Sequence, residues 1–132
     1  MILEDALYIH LKANTTLKAL VVERIYPLHL PQTPTYPAVV YEQISKPRYH
    51  TMGTLQALAS PRVLFTCWGS TQPSAWSTAA AVIGALGNYS GTMGGDNGVT
   101  VQRVYVDDEY DGEADPVKKA YARICEFIIW HE

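Results

Sequence analysis

The stretch from Pro61 to Pro73, with the alanine-rich run that follows it to Leu86, constrains this chain more than any other. Val63, Phe65 and Cys67 alternate with Arg62, Leu64, Thr66 and Trp68. Both sets contain apolar residues, the pattern of a central strand covered on two sides. Gly69-Ser70-Thr71 then breaks the strand. Ser70 or Thr71 offers an N-cap, and Pro73 falls in the first helical turn, where its missing N–H costs nothing. Trp76, Ala79, Ala80, Ile83 and Leu86 form one helical face, and the small alanines allow close approach to a sheet. Gly87 or Asn88 supplies a left-handed stop.

The rest of the chain is read around this strand–turn–helix. Leu3, Leu7 and Leu11 recur every four residues, with Glu4 and Asp5 in the first turn, so residues 2–13 form an amphipathic helix. Asn14-Thr15 breaks it, and Thr15 or Thr16 caps a short second helix to about Val22, with Leu17 and Leu20 inward. Arg24 to Leu28 is a short extended piece, and Pro31, Pro34 and Pro37 hold an extended connector. Ala38 to Ser45 alternates as a strand. Lys46 to Ser60 contains Pro47 and Gly53 but also Tyr49, Met52, Leu55 and Leu58. Two readings stand: a hairpin arm or flexible loop, or a segment that orders against a neighbouring subunit. Asn88 to Gly98 is glycine-rich turn chemistry, Val99 to Val106 an alternating strand, Asp107 to Asp115 an acidic loop, and Lys118 to His131 a long final strand. The resulting order, α-α-β-β-α-β-β, predicts one α+β domain over residues 1–132, with a mostly antiparallel sheet of about four strands and helices packed on one face.

With 132 residues the chain suits a single domain with a core of its own. It is 48% hydrophobic and only 17% charged, which leaves apolar surface for partners. The net charge of −3, with no basic block, disfavours nucleic-acid binding by counterion release. No basic region followed by an apolar one opens the chain, so no signal peptide is expected, and no apolar run approaches the ~20 residues of a spanning helix. Cys67 and Cys125 lie in apolar strands and read as buried reduced thiols.

Tests for chemistry return little. From Asp107 the acidic stretch matches the start of a calcium loop, with Glu109, Asp111 and Gly112 in place, but Lys118 stands where a bidentate Glu is needed and helices are missing on both sides. His10, His29, His50 and His131 have no ligand spacing. Gly91 to Gly98 is followed by a strand and by no Gly-Lys-Ser/Thr, so it is not a phosphate loop. No catalytic, cofactor or metal site is assigned. Two alternatives are kept open: a small hydrolase-like enzyme using Cys67, His50 or the acidic loop, and a ligand- or peptide-binding module using a strand edge.

The chain resembles the small tail-completion, or head–tail joining, proteins of long-tailed bacteriophages and prophages. The likeness is carried over nearly the whole length by the N-terminal helix with Arg24-Ile25-Tyr26-Pro27, by Pro37 to Tyr41 with Ile44-Ser45, by Val63 to Trp68 with Ser70-Thr71 and the alanine-rich helix, and by Tyr121, Phe127 and Ile129-Trp130-His131. The resemblance implies a structural, non-enzymatic α+β protein of the virion, present in the host bacterial cytoplasm during assembly. It implies a homo-oligomeric ring, usually a hexamer, between the head connector and the tail tube, through which DNA passes without specific binding; no membrane is involved. A closed ring needs two different matching patches. The candidates for subunit contact are Tyr49, His50, Met52, Leu55 and Leu58 in the arm and Asp107, Asp108 and Asp111 in the acidic stretch.

In this reading Trp76 locks the helix onto the sheet. Trp76→Ala is then expected to cost about 3–5 kcal/mol in urea unfolding.

Overall fold

The computed structural model describes residues 2–22, 24–32, 35–95, 97–112 and 120–132, with backbone only at 50, 51 and 54–57. The amphipathic N-terminus forms α1 (Leu3–Ala13), and α2 (Thr15–Val21) follows after one residue. That residue, Asn14, is the cap: its Oδ1 accepts from the Leu17 N–H at 3.0 Å, the role expected of Thr15 or Thr16. The strands are β1 (Ile25–Pro27), β2 (Ala38–Ser45), β3 (Arg48–Thr51), β4 (Thr54–Ala59) and β5 (Arg62–Gly69); α3 (Gln72–Leu86) precedes β6 (Gly91–Met93), β7 (Val99–Asp111) and β8 (Tyr121–His131).

The four expected strands are all present, but among the described residues the sheet has eight. Four short strands, β1, β3, β4 and β6, extend or cap the long ones, and their three to six residues give too little alternation to read as strands from the sequence. The sheet is also mixed, since β1 runs parallel to β2 while the other pairs are antiparallel. Across the body the order is β1-β2-β5-β8-β7-β6. β3 and β4 prolong β2 and β5 as a hairpin arm, so the hairpin reading of residues 46–60 describes the observed backbone. Its base carries Pro47 on one strand and Pro61 on the other, and neither can donate to the ladder. β4 meets β8 only through Ala59 and His131, so the rest of the arm reaches past the end of the final strand.

The helices lie on one face. Leu3, Leu7 and Leu11 of α1, Leu17 and Val21 of α2, and Ala79, Val82 and Leu86 of α3 are buried against Val39, Tyr41, Val63, Phe65, Cys67, Phe127 and Ile129. Phe65 and Phe127 meet edge to face at 5.3 Å in the middle of this layer. The buried face of α3 is Ala75, Thr78, Ala79, Val82 and Leu86, one residue round from the expected stripe. Ala80 and Trp76 are therefore exposed, Trp76 by 46%, and Trp76 is not a core residue. What fixes the helix's rotation is the turn before it. Thr71 Oγ1 accepts from the Ser74 N–H at 3.3 Å, and Gly69 is so close to the first helical turn that a Cβ there would sit 2.6 Å from the Ala75 nitrogen.

Gly69→Ala is accordingly expected to destabilise the fold by about 1–3 kcal/mol through forced displacement of strand or helix. Gly84→Ala on the outer face of α3, where an added Cβ meets nothing within 4 Å, is expected to be neutral or to stabilise by up to about 1 kcal/mol. Urea unfolding of the two variants checks the contrast.

Candidate functional site

β8 leaves large side chains on the face without helices. Ile124, Ile128 and Trp130 are half-buried there, with Leu64 and Trp68 of β5 beside them. The Tyr49 ring of the arm stacks on Trp130 with centroids 5.4 Å apart and planes at 16°, and its hydroxyl shares a 2.7 Å hydrogen bond with the Ser60 hydroxyl. Tyr105 of β7 and Trp130 line two adjoining clefts of about 510 and 480 Å³. The first runs past Tyr49, Arg62 and Asp107 and the second past Leu58 and Arg103, so together they make one furrow along the arm base.

The acidic residues are strand, not loop. β7 continues to Asp111 because β8 offers it partners as far as Arg123. The expected loop residues Glu113 to Asp115, like Lys118 at the expected start of the last strand and Pro34 of the connector, lie outside the described residues. A register shift between Val106 and Asp108 places Asp107 as the extra residue of a bulge. The bulge divides the acids between the two faces. On the helix-free side Asp107 pairs with Arg62, which also lies 3.9 Å from Glu126. On the helix side Arg123 reaches Glu109 at 3.2 Å and Asp111 at 3.0 Å. Asp111 also accepts from the Trp76 indole N–H at 2.8 Å. Asp108 turns onto its own backbone and accepts from the Glu109 N–H at 2.8 Å.

The eight expected contact residues are thus scattered. Tyr49 and Asp107 line one cleft, Leu58 the next, and Met52 sits fully exposed in the arm's turn. Asp108 and Asp111 lie further along the β7 edge, on opposite faces. His50 and Leu55 pair through their backbones, and their side chains lie outside the described residues. The sequence reading missed Arg62, Arg123 and Tyr105. The signal was present in the two arginines, each the one Lys or Arg of its strand, which calls for an acid on a neighbouring strand.

Cys67 is fully buried next to Cys125, both as free thiols. The hydrogen bond between them, with burial, pushes the Cys67 thiol well above its ordinary range, the reverse of what a nucleophile needs. Among the described residues no group of three or more His, Cys, Asp or Glu is placed to hold a metal ion, and no helix is long and apolar enough to cross a membrane.

Comparison with known proteins adds the context. The profile of the family described as tail completion protein gp17 matches residues 5–132. Among solved structures, a chain from the virion of a native gene transfer agent particle superposes with a TM-score of 0.78, covering 98% of this chain and 94% of that one at 17% identity, so the two share a fold. No curated protein sequence matches.

The Trp76–Asp111 bond gives an optical handle on this edge. The Trp76 hydrogen bond and then Arg123 hold the Asp111 carboxyl below its ordinary range. A lowered carboxylate pKa contributes stability that is present above the unfolded value of about 3.9 and is lost as pH falls through the folded one. Trp76 fluorescence is expected to shift only below the ordinary carboxylate range and to lose that transition in Asp111→Asn. Trp76→Ala, with no core to empty, is now expected to cost about 1 kcal/mol, the scale of a hydrogen bond, and urea unfolding separates this from a core loss.

Proposed function

We infer the role of this chain from its kinship: it belongs to the tail completion protein gp17 family. It is a structural protein of head–tail assembly in a phage-like particle. The observation that carries this is the family match from residue 5 to residue 132, which takes in every element described except the first two residues of α1. The fold shared with a virion chain of a gene transfer agent particle supports it.

Beyond that role, the chain acts by shape and contact, without catalysis. Its copies close a hexameric ring between the head connector and the tail tube, and the DNA passes through the ring without specific binding. Burial of Cys67 supports the non-enzymatic part, because it withdraws the nucleophile a small hydrolase of this sequence would use. The net charge of −3 supports the inert passage, since an acidic wall offers phosphates no counterion exchange.

Particles made without this chain are expected to accumulate as separate heads and tails in negative-stain images, and supplying the purified protein is expected to join them. Normal joined particles in its absence would overturn the role. Ring geometry is read by imaging the purified protein and particle junctions, and tight, salt-sensitive binding of DNA by the ring would overturn the inert passage.

A further inference from the structure

The sheet leaves two edges unpaired, each over about half its length. On one side β1 covers β2 from Val39 to Tyr41, and the Leu28 N–H bonds the Tyr41 carbonyl. Past that point, among the described residues, Glu42–Ser45 and Arg48–Thr51 are paired only inward, to β5 and β4. On the other side β6 covers β7 from Val99 to Val101, and Asn88 and Tyr89 bond to Val104. From Tyr105 to Asp111, again among the described residues, β7 is paired only to β8. The open half of β2–β3 lies where β8 ends, and the open half of β7 lies where β8 begins. The two open segments are therefore on opposite sides of one sheet and run to opposite ends of it, level with each other only across Glu126–Ile128 of β8.

They also differ in charge. The β7 segment brings Asp107, Asp108, Glu109 and Asp111, with Glu126 beside them, against only Arg62 and Arg123. The β2–β3 segment carries Lys46 and Arg48 at the arm base, neither in an ion pair among the described residues, while its one acid, Glu42, lies back beside the β1 cap. Burial first, then the field of these two cations, lowers the pKa of the neighbouring His131.

We propose that the basic edge at Lys46–Thr51 of one copy pairs with the acidic edge at Tyr105–Asp111 of the next, so that the sheet continues from subunit to subunit. This rests on the ring reading and names the contact within it. The occupant is a second copy of this chain because the two segments complement each other in charge and in what they lack. Each has backbone groups to pair, and each is closed by a capping strand in the half where the other is open. An edge that met its own kind would set like charges together; basic meeting acidic makes the contact head to tail and lets it close on itself.

The test reverses one charge on each edge, choosing positions outside the intramolecular ion pairs. Arg48→Glu and Asp108→Arg, each shown to melt like the parent, are expected to raise the concentration needed for ring formation several-fold in sedimentation, and the doubly reversed chain is expected to return toward the parent value. In rings formed in solution or recovered from particles, Arg48→Cys mixed with Asp108→Cys is expected to give only disulfide-linked dimers, and a chain carrying both cysteines a ladder. Rings that form as readily in both charge variants and never cross-link would overturn the edge pairing, leaving the charges and Pro47 as guards against association. Absence of any ring from the parent protein, in solution or in particles, would overturn the ring reading itself.

Discussion

Strand β8 is hydrogen-bonded along both flanks, to β5 from Tyr121 to Ile128 and to β7 from Arg123 to His131. It lies between them in the middle of the sheet although it follows both in sequence. Three successive inward side chains of β8, Cys125, Phe127 and Ile129, are fully buried in the layer under the helices. The helices cover these together with Val39, Tyr41, Val63, Phe65 and Cys67 of β2 and β5, and the short strands add to the ends and flanks of the long ones. Such non-local pairing places most of the stabilising burial late in folding, after the loop-closure entropy has been spent.

The elements whose residues alternate over eight or more positions were legible in the sequence. Val63, Phe65 and Cys67 face the helices as expected, as do Leu3, Leu7 and Leu11, because period and burial agree there. Two kinds of feature were not legible. Strands of three to six residues, such as Gly91–Met93, exist because a long neighbour supplies hydrogen-bond partners, which no local pattern records. The rotation of α3 was misread by one residue because alanines on both sides of the stripe blur the face, and the deciding contact is the approach of Gly69 to the helix start. Periodicity puts Trp76 on the face of Ala79, Ala80, Ile83 and Leu86; its indole N–H instead finds Asp111, an acid 35 residues away in sequence.

The candidate surface was half legible for a related reason. An acidic run invites the picture of a solvated loop, and the composition of Asp107 to Asp111 gives no hint of strand. Tertiary pairing overrode it: Arg123 stands directly opposite Asp111, and the bulge at Asp107 lets neighbouring acids point to different faces. Tyr49, expected at a subunit contact, has its ring stacked on Trp130 of its own chain. The arm is thereby clamped at its base while Met52 in its turn touches nothing comparable.

The two cysteines have a consequence for a structural protein of a phage-like particle. A released particle meets oxidants that a cytoplasm holds in check, and exposed thiols there would be oxidised or would tie copies together at random. Cys67 and Cys125 are the chain's only thiols, and both are sealed beneath the helical layer. With both sulfurs fully buried, the chain presents no thiol to dissolved oxidants. The same layer that completes the core therefore also keeps the chain's thiols from oxidation.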